Sequence, residues 1–315
     1  MNKPQEEMRI AILYHANFGR NDGSPLYYWN VLKNQMKFAG VMHLMPEGDL
    51  GRFGKFDYTF WVDYGEDGLP TDKTWEIPDY LGETIYVCSD AHINDAGRDY
   101  RFNRATKFDY VFFNQLRALE EYGDRPLDKS KNKIISLLLH AAEPTVYKHF
   151  EIIKKYDVGF VGHLQETPNY NGFSRLDFLH EMFAKFPNFY FGSRSPIDET
   201  KNVFEDASKR FCESKVVLNI SITDDINMRI FETLSSGSFL LTNNIPTIQL
   251  AGTPGKDFVV YDTIDEAKEL AEYYINHDKE REAIAESGHQ HFLEKHTYRH
   301  RIDQIFEKIG GQDAS

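Results

Sequence analysis

The strongest constraint on how this chain can fold is an alternation of two hydrophobic periods. Short runs rich in β-branched and aromatic residues (8–14, 41–44, 58–62, 85–88 and 110–113) are separated by longer polar and helix-like stretches. After residue 158 the same alternation resumes, with runs at 158–162, 189–192, 216–220, 239–242 and 258–261. Strand signals that alternate with helical patterns specify βα units and parallel sheets. The runs are short and largely apolar, as strands covered on both faces are. Helices are expected over 25–39, 174–185, 226–235, 264–276 and 278–296, with Pro25 suited to a first turn and Gly40 to a stop.

A chain of 315 residues accommodates about two domains. The stretch 143–155, containing Pro144, separates the two series. The expected division is therefore 1–148 and 149–298, each Rossmann-like, with a last helix in 299–315 that belongs to either half, a return to the first included. Acidic residues number 49 and basic ones 36, a formal charge of −13. That balance disfavours a general nucleic-acid or anionic-membrane binder, either of which needs a basic face. The two cysteines, Cys88 and Cys212, make neither a disulfide framework nor a zinc-finger spacing and suit a reducing compartment. The first residues lack the apolar core of a secretory signal, and no apolar run approaches the roughly 20 residues of a membrane span. The longest such run, 134–139, is interrupted by Ser136 and followed by His140. A soluble, cytoplasmic protein is expected.

Two familiar signatures are missing, a G-x-G-x-x-G after the first strand and any Asp-x-Asp. The segment 252–257 has glycines and Lys256 but not the spacing of a phosphate loop, and reads as a turn. His289, His291, His296 and His300 lie close in sequence without a cysteine pair to complete a zinc site, and read as a solvated helix face.

The most informative segment is 224–242. Asp224 or Asp225 is the expected N-cap. Ile226, Ile230 and Leu234 recur every four residues as a buried stripe, and Arg229 and Glu232, three apart, share a different face. A helix that starts at the carboxyl end of a parallel strand is a ready anion site. The residues alone leave two readings open: a surface helix with an Arg–Glu pair, or a helix that presents both groups to one ligand.

Residues 227–242 fit the pattern Asn-Met-Arg-x-Phe-Glu-x-x-x-x-Gly-x-x-Leu-x-Thr, and the segment resembles the donor-site helix of retaining GT-B glycosyltransferases, most closely their CgeB-like branch. The similarity continues at 157–162, 214–220, 254–256, 259–262 and 296–301. The resemblance implies a GT-B arrangement of two Rossmann-like domains around a cleft. It also implies transfer of a hexose from a nucleotide diphosphate sugar, expected to be a UDP-sugar, to an unknown acceptor, with retention and with neither metal nor cofactor. Glu232 takes the place of the ribose-binding glutamate, and Asn227, Met228 and Arg229 fall in the same donor motif. Asp224, eight residues before Glu232, stands where the family has a sugar-contacting glutamate and reaches about one methylene less far. Arg229 and Arg194 are the expected diphosphate cations, with Arg175 or Arg210 as substitutes. Gly162 and His163, at the end of the first strand of the second half, are expected beside the nucleotide. Gly23, before the first helix, is expected near the donor phosphates. Asp90 and His92, after the strand ending at Cys88, are expected at the sugar or the acceptor proton. Two alternatives remain: a sugar-nucleotide-binding assembly protein without turnover, and a phage-type DNA-base glycosyltransferase, which the charge disfavours.

Overall fold

The computed structural model describes residues 7–15, 24–36, 38–45, 50–63, 77–89, 91, 95–164, 166, 168–192 and 203–312. The chain forms two compact units, one of Met1–Leu139 with Tyr298–Ser315 and one of His140–Thr297.

In the first unit, strands β1 (Arg9–His15), β2 (Ala39–Met45), β3 (Tyr58–Asp63), β4 (Glu83–Cys88), β5 (Tyr110–Phe113) and β6 (Ile134–Leu137) form one sheet in the order β2-β1-β3-β4-β5-β6. Every pairing is parallel. Helix α1 (Ser24–Asn30) runs on as a π-helical turn, Val31–Gln35. The expected helix over 25–39 is therefore shorter, and Gly40 is no helix stop. It is a strand residue opposite Ile10. Strand β6 and helices α2 (Asp95–Ala105) and α3 (Leu116–Asp124) were not expected. Aromatic rings fill the core: Tyr86 stacks on Phe108 at 4.9 Å, and Phe113 lies 5.0 Å from Tyr122. The last helix, α9 (Tyr298–Gln312), lies in this unit, with Phe306 5.5 Å from Phe38 and Tyr298 5.1 Å from Tyr28. Arg301 on α9 is 1% exposed and donates from Nε to the Leu139 carbonyl at 2.8 Å. Burial pushes its pKa down to about 10.

In the second unit the sheet order is β11-β10-β9-β7-β8, again all parallel. Its strands are β7 (Tyr156–Val161), β8 (Phe189–Gly192), β9 (Ser214–Asn219), β10 (Leu240–Asn243) and β11 (Val259–Tyr261). Helices α4 (Arg175–Lys185), α5 (Val203–Glu213), α6 (Met228–Ser235), α7 (Ile264–Asn276) and α8 (Asp278–Lys295) alternate with or follow them. Phe178 of α4 stacks on Tyr261 of β11 at 5.1 Å within a core that includes Val158, Leu218 and Leu241. The units divide at 139/140 and not at 148/149, because residues 140–150 bond within the second unit. Ala142 bridges Thr297, the Tyr147 carbonyl accepts from Ser235 Oγ, and the Phe150 amide donates to Cys212 Sγ. Among the described residues, no helix is long and apolar enough to cross a membrane.

Candidate functional site

The order of the second sheet decides where a ligand can sit. From β7 the chain moves outward to β8 on one side, then returns to β9 on the other and continues to β10 and β11. The switch point therefore lies between β7 and β9, at their carboxyl ends, where open α/β sheets bind ligands. The β7–β9 ladder runs from Tyr156 opposite Ser214 to Gly159 opposite Val217. Beyond it, two buried guanidinium groups span the strand ends. Arg229, 7% exposed, donates from Nε to the Val161 carbonyl at 2.6 Å and from Nη1 to Asn219 Oδ1 at 3.0 Å. Arg175, 6% exposed, donates from Nη1 to the His163 carbonyl at 2.8 Å and from Nη2 to the Ile220 carbonyl at 2.7 Å. The Arg229 guanidinium also lies 4.4 Å from the Phe160 ring centroid, a cation–π distance.

Helix α6 starts at this point. Its N-cap is Asn227, in extended conformation and with no side-chain capping bond. Neither of the expected cap residues is the N-cap. Asp225 Oδ1 accepts from the Thr223 amide and hydroxyl, and Asp224 is half-buried. The Asn227 side chain makes no bond to the first-turn amides of α6, which carry the positive end of the helix dipole. Ile226, Ile230 and Leu234 form the expected buried stripe, but the burial does not stop there. Every residue from Arg229 to Ser235 is buried, and Glu232 is fully so. The solvated surface pair is thereby excluded. Met228, the first residue of the helix, is half-buried.

Gly162 has a different reason from the expected one. A Cβ there would lie 1.9 Å from Arg229 Nη2, so the residue is glycine because the guanidinium occupies its side-chain space. His163 is exposed, and its carbonyl is held by Arg175. Arg210 is no donor-site candidate. It pairs with Glu213, at the amino end of β9 and so at the opposite edge of the sheet. Gly23, Asp90, His92 and Arg194 lie outside the described residues.

Residues 177–307 match the family described as glycosyl transferase-like. No curated protein matches the chain. Among solved structures, HepE of Anabaena in complex with UDP and glucose is similar, with a TM-score of 0.56 at 12% identity over 97% of this chain and 100% of that one. Sucrose-phosphate synthase of Thermosynechococcus elongatus gives 0.62 at 8% identity, over 98% and 100%. A glycosyltransferase from Rickettsia africae gives 0.56 at 8% identity, over 96% and 97%. The chain has the GT-B fold.

Several features of this chain escaped the sequence. A buried polar network crosses the strand ends: Asn219 Nδ2 donates to Thr242 Oγ1 at 2.9 Å, the Ser221 amide to Asn243 Oδ1 at 2.8 Å, and Asn243 Nδ2 to Asn171 Oδ1 at 2.9 Å. The available signal was an asparagine closing each of two apolar strands, since a buried amide requires partners. The histidines are not a solvated face either. His289 Nδ1 lies 2.9 Å from the Leu234 carbonyl at the end of α6. His296 is 5% exposed, with its ring 4.9 Å from Phe231 and its Nε2 3.3 Å from His291 Nε2. His300 belongs to α9 in the first unit, where burial and the neighbouring Arg301 lower its pKa. The 252–257 segment is the expected turn: the Gly255 amide donates to the Phe258 carbonyl, and Asp257 Oδ2 accepts from the Thr253 amide. Among the described residues, no three His, Cys, Asp or Glu side chains converge as metal ligands.

Proposed function

We propose that the chain is a glycosyltransferase that transfers a hexose from a UDP-sugar, with retention and without a metal ion or other cofactor, and that it belongs to the CgeB-like branch. The carrying observation is the burial of Arg229 and Glu232 on a helix that starts at the switch point of the second sheet with no capping bond from its N-cap side chain, Asn227. In this reading Glu232 accepts hydrogen bonds from the ribose hydroxyls. The diphosphate lies at the α6 N-terminus, where the dipole and the Arg229 charge stabilise it as it gains charge on departure. Asn227 and Met228 line the donor site. Asp224 reaches the sugar less closely than a glutamate does. The motif at 227–242 supports the branch, and the UDP-glucose complex of HepE supports the donor class.

The C1–O bond to the diphosphate breaks while the acceptor oxygen bonds C1 on the same face, and the acceptor proton passes to the departing diphosphate. Arg194 is the second diphosphate cation, and Asp90 and His92 contact the sugar or the acceptor. Gly23 and His163 present backbone to the donor. Titration of UDP against wild type and Glu232→Gln tests the reading. Loss of a charged acceptor costs about 1.5–3 kcal/mol, so affinity is expected to fall by roughly 10- to 100-fold. Unchanged affinity for UDP and every other nucleotide diphosphate refutes it.

A further inference from the structure

Two arginines bridge the ends of β7 and β9, and the assigned donor motif accounts for only one of them. Arg175 holds the strand ends through two backbone carbonyls, those of His163 and Ile220, and its guanidinium lies 5.7 Å from the centroid of the Phe160 ring. Each carbonyl belongs to a residue that borders the donor site. His163 follows Gly162, against which the Arg229 guanidinium packs. Ile220 follows Asn219, whose amide oxygen holds Arg229, and precedes Ser221, whose hydroxyl donates to the Asp225 carbonyl at 2.7 Å two residues before the α6 N-cap.

The side chain is itself well anchored. Arg175 is the first residue of α4, whose N-cap Ser174 accepts from the Asp177 amide and donates to the Asp177 carboxylate at 2.7 Å. A parallel ladder could have continued to these positions with backbone bonds. The strands separate instead, and a planar fork of fixed width takes the place of the missing ladder. Stability alone does not account for a buried guanidinium here, since its desolvation opposes folding and an apolar side chain would fill the same space.

We propose that Arg175 is a positioning residue for donor turnover: its fork fixes the His163 and Ile220 carbonyls and so sets the separation of the β7 and β9 ends beside the α6 N-terminus, where the donor diphosphate is held. The proposal rests on the UDP-sugar reading above. What matters is then the geometry of the fork and not the charge.

The test uses the full chain with Arg175→Lys and Arg175→Gln, following donor hydrolysis and UDP binding. Both variants are expected to lower kcat at least 10-fold, with the donor KM and the UDP dissociation constant of Arg175→Lys within about 3-fold of wild type. Wild-type kcat in Arg175→Lys, or equal losses in UDP affinity and kcat, overturns the proposal, the second because it marks a direct donor contact. Backbone hydrogen exchange supplies a readout independent of activity. Residues 162–164 and 219–222 are expected to exchange at least 10-fold faster in Arg175→Lys, with the rest of the sheet unchanged, and unchanged exchange there overturns the proposal. A wild type that binds and hydrolyses no nucleotide sugar removes the donor reading and leaves the exchange result to decide the role of Arg175. Where Arg175→Lys does not fold, Ser174→Ala loosens the same anchor. It is expected to reduce kcat at least 3-fold with faster exchange in the same two segments, and no change in either overturns the proposal.

Discussion

Replacing Gly162 with alanine should dislodge Arg229 without touching it chemically. The added Cβ would stand 1.9 Å from Nη2 and 2.9 Å from Cζ of the guanidinium, and 3.2 Å from the Phe160 ring. The guanidinium must move, and its bonds to the Val161 carbonyl and Asn219 Oδ1 break. A hydrogen bond to a charged group contributes about 1.5–3 kcal/mol, which sets an upper limit of roughly 6 kcal/mol for the pair. Partial re-formation of the bonds, and the lower unfolded-state entropy of alanine, worth about 0.4–1 kcal/mol, reduce this. We expect a net loss of about 2–5 kcal/mol. For a unit of this size that lowers the thermal midpoint by roughly 5–15 °C, measurable by calorimetry. The control is a double-mutant cycle with Arg229→Met. Once the guanidinium is gone, Gly162→Ala should change stability by no more than about 0.5 kcal/mol. A wild-type midpoint in Gly162→Ala, or the same loss in both backgrounds, would refute the idea that the arginine dictates the glycine.

Three further outcomes are expected. Burial raises the Glu143 pKa above its ordinary 4.5, against two bonds from Thr145 that lower it. The native state therefore binds more protons than the unfolded one between 4.5 and the raised value, and stability falls as pH rises through that window. In Glu143→Gln the midpoint at pH 8 should rise relative to wild type and the difference should vanish near pH 4, as melting curves across that range will report; a constant difference would contradict the assignment. In the proposed mechanism the α6 dipole and arginine charge stabilise the diphosphate, so turnover should persist in excess chelator; activity lost in chelator and restored by manganese or magnesium would sink the metal-free mechanism. A Cβ at Gly288 would lie 2.1 Å from the Asp257 carbonyl and 2.8 Å from Leu234 of α6, so Gly288→Ala should cost at least about 1–3 kcal/mol in urea denaturation, and a neutral result would mean that α8 shifts freely against α6.

The alternation of hydrophobic periods was enough to specify parallel α/β units, since strand and helix patterns are local and repeat within a few residues. It located the first five strands of the first sheet and all five of the second, and the spacing at 227–242 marked the helix that carries Arg229 and Glu232. Elements without clear punctuation were missed. Helix α5 ends at Glu213 and β9 starts at Ser214, with no turn between them to signal the change. In β6 a single serine obscured the run.

The chemistry of the strand ends was a different matter. Arg229 meets Val161 across 68 residues, Arg175 meets Ile220 across 45, and Asn243 meets Asn171 across 72. Such contacts depend on which parallel strands become neighbours and where their ladder stops, and no local pattern encodes either. For the same reason the histidines of α8 read as solvated until α6 was packed beside them, and Gly162 read as a neighbour of the nucleotide until a guanidinium filled its side-chain space. Residue types and local periods determined which groups this chain has to work with. Strand order, by closing distant segments onto one edge of a sheet and excluding water from them, decided which of those groups act together.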